Sequence, residues 1–367
     1  MDSQTNDSQT NSGPPYAPSQ WLLGGTPKTN VDIPITAILL VLYIIGAVTH
    51  MTIFQKNMRQ GHKFIFSAVL FGFCFARSIT CVLRISSTSV PSNIRLQLAA
   101  QIFVTAGVVA AFIINLFFTL RIIRSMHPRF GWSLSLSLLF RSLYVLVVCS
   151  LIMVVTATVQ TYFTLDRDIL HIDRALQLYG STYFAVVSFL PLPFMLISYL
   201  LPHHQPPEPF GAGRLSTKVF IVATGATFLT LGAWYRAGTS YLSPVPKTQP
   251  LPRYFHRACF YVFNFVVEIV VVYFYAAMRI DRRFWIPNGA HGPGSYAEAG
   301  SSPASIVASV EEGGVEDSRE DVARALEGER EKRSISKSRS TSRERSPARP
   351  LRTQQPVWRT SEEIIIL

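Results

Sequence analysis

The sequence predicts an all-α membrane protein, a seven-transmembrane helix bundle with disordered N- and C-terminal segments. Three observations carry this. Seven apolar stretches fill residues 33–278, each long enough to cross a hydrocarbon core roughly 30 Å thick at about 1.5 Å per residue. The joints between them are short and polar, which suits sequential helices packed as neighbours. From Asn288 onward the apolar periodicity stops and Gly, Pro, Ser, Arg and Glu dominate, a composition that cannot bury enough apolar surface to offset chain entropy.

The elements follow in chain order. Residues 1–32 form a Ser-, Gln-, Asn- and Pro-rich segment that carries Asp2, Asp7 and Asp32 against Lys28. It has no basic n-region, so it is not read as a signal peptide. At about this length it is too short to be a large ligand-binding domain. The spans are expected at Ile33–Phe54, Phe64–Ile85, Gln97–Ile122, Leu138–Thr161, Leu176–Leu201, Thr217–Arg236 and Arg257–Met278. They must be helices, because backbone groups in lipid need internal partners; a transmembrane barrel would show alternating strands of about ten residues instead. Residues 279–287, RIDRRFWIP, mix basic and aromatic side chains and fit a short segment at the inner interface. Residues 288–367 are expected to be a disordered cytoplasmic tail.

Charge sets the expected orientation. Lys56, Arg59 and Lys63 follow span one, and Arg121, Arg124 and Arg129 follow span three; the joint after span four carries Asp166, Asp168 and Asp173 against Arg167 and Arg174. Basic residues favour the cytoplasmic side, so the N-terminus is expected outside and the C-terminus inside, most simply at the plasma membrane. Lys247, Arg253, Arg236 and Arg257, in or beside the joint between spans six and seven, run against that rule. An outside N-terminus would expose Asn6 of Asn6-Asp7-Ser8 as a glycosylation acceptor. The chain has 367 residues and net charge +12; residues 1–280 hold 20 Lys/Arg and 8 Asp/Glu, whereas residues 281–367 hold 14 of each. A basic inner face suits anionic lipids or an acidic cytosolic partner.

Function should show in polar residues at membrane depth, which are costly and usually face the bundle interior. Arg77 of span two and Glu268 of span seven sit at matching depths, and Glu268 is the lone acid within the spans as drawn. They are expected to form a buried ion pair that locks the helices or serves as a ligand-binding or switch element. Asn264, one helical turn before Glu268, shares its face and could bond that carboxylate or a ligand. His50 in span one and Asn115 in span three are expected to make interhelical contacts. Pro191 and Pro193 imply a kink in span five, and Gly225 and Gly232 suit close approach of span six to a neighbour.

Elsewhere the sequence offers candidates or exclusions. Ser336, Ser342 and Ser346 each follow an arginine by three residues and are candidate phosphosites. The Arg-Ser tract is too short and too firmly tethered for a nucleic-acid partner to be expected. Cys81 and Cys259 lie near helix ends where one bridge is conceivable. No metal-ligating spacing, P-loop or nucleophile elbow occurs in the spans, and neither an enzyme, a cofactor nor a metal is expected.

The stretches GAVTHMTIFQKNMRQGHKF, FIINLFFTLRIIRSMHP, ALQLYGSTYF, ACFYVFNFVVEI and RIDRRFWIPNG together resemble a family of fungal seven-span proteins catalogued as a domain of unknown function. Some of its members are labelled G-protein-coupled-receptor-like. The resemblance covers residues 33–289, implies a fungal membrane protein and transfers no catalytic residue. A receptor-like protein that signals through inner loops and tail to a heterotrimeric G protein or another cytosolic partner is the first expectation. Span three, however, ends in Leu120-Arg-Ile-Ile-Arg124 without an acidic-Arg-aromatic triplet. The alternatives are a transporter of a lipid or apolar solute, and a scaffold whose tail recruits partners.

Overall fold

The computed structural model describes residues 13–202, 206–287, 290 and 292–296. The candidate phosphosites Ser336, Ser342 and Ser346 and the candidate glycosylation site Asn6 lie outside the described residues. Among the described residues, seven helices are long and apolar enough to cross a membrane: α1 (Thr29–Arg59), α2 (Ile65–Ser89), α3 (Ile94–Met126), α4 (Leu134–Phe163), α5 (Arg167–Leu200), α6 (Leu215–Tyr241) and α7 (Arg257–Ala277). The chain is thus an all-α integral membrane protein. Most helices outrun the apolar stretches that announced them, because hydropathy marks the lipid-facing slab while capped polar turns extend beyond it. Helix α5 is the clearest case: Asp166 accepts from Asp168 N and starts the helix nine residues before the expected Leu176.

Each helix packs on its sequence neighbours, α7 returns to α1, and α3 also touches α5 and α6. The second half of α3 is therefore buried nearly all round, from Phe112 through Asn115 and Phe118 to Ile123. Helices α1 and α4 turn Ile38, Val41, Val48, Val145 and Ile152 outward. Such exposed apolar stripes are the faces that lipid covers. The inner surface carries the polar groups instead, among them His50, Arg77, Asn115, Asn264 and Glu268.

Three of the helices are not continuous. Helix α5 breaks at Leu190, where Pro191 and Pro193 cannot donate. Thr230 Oγ1 of α6 donates to the Ser188 carbonyl there at 2.9 Å. Helix α3 breaks between Gly107 and Val109. Helix α7 contains a π-helical turn at Val262–Val266, a form found mostly as single turns inside α-helices and frequent at functional sites.

We call the end where α1 begins the N-face and the opposite end the C-face. Residues 13–28, expected to be disordered, have no helix but are tied to the N-face. Tyr16 N donates to Tyr162 O, Trp21 N to Val245 O and Gly24 N to Phe255 O. Apolar anchors in the segment, such as Leu23 packed on the core, explain why a polar composition still docks. At the C-face Arg279 adopts φ +47°, turning the chain into a short helix, Ile280–Arg283. Arg279 also forks onto Asp281, with both bonds at 3.1 Å, which raises its pKa. Ile280 and Phe284, four residues apart and so on one helical face, are both buried, and Phe284 stacks on Phe118 at 4.3 Å between centroids.

Candidate functional site

The buried centre is built from α2, α3, α6 and α7. Arg77 Nε and Nη2 donate to Glu268 Oε2 and Oε1, each at 2.6 Å, so the expected pair exists and is bidentate. Arg77 and Glu268 are 0% and 1% exposed. Planar fork-to-fork geometry of this kind fixes orientation as well as charge. The third nitrogen, Nη1, donates to the Val104 carbonyl at 3.0 Å. That acceptor comes from the break in α3: the Val108 N–H turns to Ala106 O and leaves Val104 O for the guanidinium. Gly107 makes room, since a Cβ there would sit 3.0 Å from Arg77 Cζ and Nη1. The rings of Phe73 and Phe265 lie 5.8 and 5.5 Å from the guanidinium carbon, within reach of a cation–π contribution.

A second cation completes the centre. Arg236 Nη1 lies 3.7 Å from Glu268 Oε1 and makes long bonds, 3.4 Å each, to Asn264 Oδ1 and the Phe263 carbonyl. The π-turn of α7 presents Phe263 O to α6 at a point where Gly232 lets the helices meet; a Cβ on Gly232 would sit 2.6 Å from that oxygen. Asn264 does not bond Glu268. Its Nδ2 donates to Phe260 O at 2.9 Å and its Oδ1 receives Arg236, because the π-turn changes the register that an ideal helix would give the two residues. One carboxylate therefore faces two guanidiniums.

The sequence reading missed Arg236, which it placed at the very end of span six. Helix α6 continues to Tyr241, and that extra length carries Arg236 inside the bundle. Its spacing of four from Gly232, on the same helical face, was the available signal.

The other polar candidates hold helices together. His50 Nε2 meets the Val272 carbonyl at 3.1 Å, and the Tyr275 hydroxyl donates to Asn115 Oδ1. Gly225 packs directly against that Tyr275 hydroxyl. Near the N-face Asp32 is buried and accepts from Lys28 N at 2.6 Å and Tyr261 Oη at 2.8 Å, with Arg257 Nε at 3.4 Å. All four cysteines, Cys81 and Cys259 included, are free thiols.

A cavity of about 780 Å³ opens among α3 to α7 beneath residues 16–23 of the N-terminal segment. Its size falls in the range of small-molecule sites. Val104, Val108, Val154 and Phe184 give it an apolar lining, and Arg236 and Asn264 line it too. Arg77 and Glu268 do not reach it; they stand behind the residues that do.

A family described as "Protein of unknown function (DUF3112)" matches residues 213–285. That stretch takes in α6, α7 and the short helix beyond, and so contains Arg236, Asn264 and Glu268 but not Arg77. No curated protein and no solved structure matches the chain.

Proposed function

We propose that this is a non-enzymatic, receptor-like membrane protein. A small ligand enters the cavity from the N-face, and its arrival is passed through the Arg77–Glu268–Arg236 centre to the C-face. One observation carries the reading: the cavity lining and the ion cluster share residues. Arg236 and Asn264 line the cavity and also hold the centre, while Val104 lines it and accepts from Arg77. A ligand touching that wall acts on the carboxylate behind it without reaching it. The π-turn offers the bistable element a switch needs. Returning Val262–Val266 to α-helical winding would rotate one half of α7 against the other and change which face Glu268 presents.

In this reading the N-face is outside and the C-face cytoplasmic, at the plasma membrane. Lys56, Arg59, Arg124, Arg129, Arg282 and Arg283 cluster towards the C-face, whereas Asp166 caps α5 at the N-face and Asp168 lies in its first turn, in keeping with the positive-inside rule. Two of the basic residues that ran against the rule have internal roles: Arg257 faces Asp32 and Arg236 belongs to the buried centre. A heterotrimeric G protein or another acidic cytosolic partner fits the basic C-face.

Reconstitution in vesicles separates this reading from a transporter or scaffold. Nucleotide-sensitive association of a heterotrimeric G protein with the C-face is the expected result. Solute flux through the bundle with no such association would overturn the receptor reading.

A further inference from the structure

Resting on the cavity as the ligand site, we propose that its ligand is a small amphipathic organic carboxylate, held with its acid group on Arg236 and its apolar body against the inner wall. Charge is the first argument. Arg167, His171, Arg174 and Arg236 line the cavity and, among the described residues, no Asp or Glu does. Of the carboxylates nearby in sequence, Asp166 caps α5, Asp168 is exposed and outside the lining, and Asp173 is buried against Thr161 Oγ1 at 3.4 Å. A cationic ligand would meet arginines with no counter-charge. A neutral one would desolvate the Arg236 fork and give little in return.

The second argument is what Arg236 lacks. Glu268 is already held twice at 2.6 Å by Arg77, so Arg236 has only its 3.7 Å approach and two 3.4 Å contacts. Its side chain is 19% exposed, and the cavity is the space it lines. A guanidinium has five donors in a planar fork that matches a carboxylate, and much of this fork is free to take one. The third argument is independent of charge. Tyr162 is only 5% exposed, lines the cavity and carries a buried hydroxyl with no hydrogen-bond partner. Buried hydroxyls are normally satisfied, and a ligand oxygen would satisfy this one. Val104, Val108, Val154 and Phe184 then receive the apolar body. A carboxylate on Arg236 competes directly with the Phe263 carbonyl and Glu268, so this ligand class is also one that would loosen the π-turn.

The test uses the full chain in zwitterionic lipid nanodiscs with three probes of equal chain length: octanoate, octanol and octylammonium. Calorimetric titration should show octanoate binding roughly tenfold or more tightly than either of the others. Arg236→Gln should lose that preference, Arg236→Lys should retain part of it, and Tyr162→Phe should weaken octanoate. If Arg236→Gln fails to fold, the three-probe comparison on the unmodified protein and on Arg236→Lys still decides. Equal binding of all three probes, or preference for octanol or octylammonium, overturns the carboxylate while leaving the cavity as a ligand site. Binding of none of them overturns the carboxylate; if Val108→Phe, which fills the cavity, also leaves G-protein association unchanged, the cavity reading falls with it.

Discussion

Replacing Glu268 by Gln should destabilise the protein more than replacing its partner Arg77 by Gln. In Glu268→Gln both guanidiniums lose their anion. Breaking a buried pair by removing one member costs about 3–5 kcal/mol in soluble proteins. Loss of the longer, partly exposed Arg236 contact at 3.7 Å adds up to about 1 kcal/mol. In Arg77→Gln the carboxylate still has Arg236 beside it, which can close the gap, so the cost falls near the lower limit, about 3 kcal/mol. The double substitution leaves only the partly exposed Arg236 without a counter-charge and should be milder than Glu268→Gln alone, a coupling of about 2 kcal/mol or more. A simple charge swap is expected to rescue poorly, because an arginine at position 268 would face Arg236; adding Arg236→Gln to the swap should improve it. Unfolding can be followed by a thiol-reactive fluorophore on Cys74 and Cys81, both fully buried and flanking Arg77, in a background carrying Cys149→Ser and Cys259→Ser. If Arg77→Gln costs as much as Glu268→Gln and the double substitution simply sums the two, one shared carboxylate does not hold this centre.

Other positions give independent checks in the same unfolding assay. Gly225→Ala puts a methyl group onto the Tyr275 hydroxyl and should cost about 1–3 kcal/mol. Gly232→Ala should cost a similar amount by pushing α6 off the Phe263 carbonyl. Tyr275→Phe removes the hydroxyl that serves Asn115 Oδ1 and should cost roughly 1 kcal/mol, within the span measured for side-chain bonds between membrane helices. Tyr162→Phe deletes a hydroxyl with no partner, so stability should stay within about 0.5 kcal/mol of the parent or rise slightly.

Much of this was legible in the residues. The seven spans follow from apolar length alone, and the Arg77–Glu268 pair follows from the cost of placing two opposite charges at one depth. Pro191 and Pro193 announced the break in α5, and Gly225 and Gly232 announced two close approaches. The π-turn did not show, since Val-Phe-Asn-Phe-Val has no local signature; it depends on what α6 and α1 offer, namely Arg236 at Phe263 O and the Tyr43 hydroxyl at Phe265 O, 3.0 Å away. The break at Gly107 likewise depends on Arg77 claiming the Val104 carbonyl. The cavity was invisible because five helices and an N-terminal segment of unremarkable composition create it together.

Coupling between cavity and C-face is tested most directly by a distance. Arg59 on α1 and Ser216 on α6 are exposed towards the C-face, so Arg59→Cys and Ser216→Cys can carry spin labels in the background that carries Cys149→Ser and Cys259→Ser. Pulsed dipolar spectroscopy in nanodiscs then reads their separation with the cavity empty and with saturating octanoate. A shifted distance distribution that Arg236→Gln abolishes is the expected result. An unchanged distribution, with octanoate demonstrably bound, would contradict it.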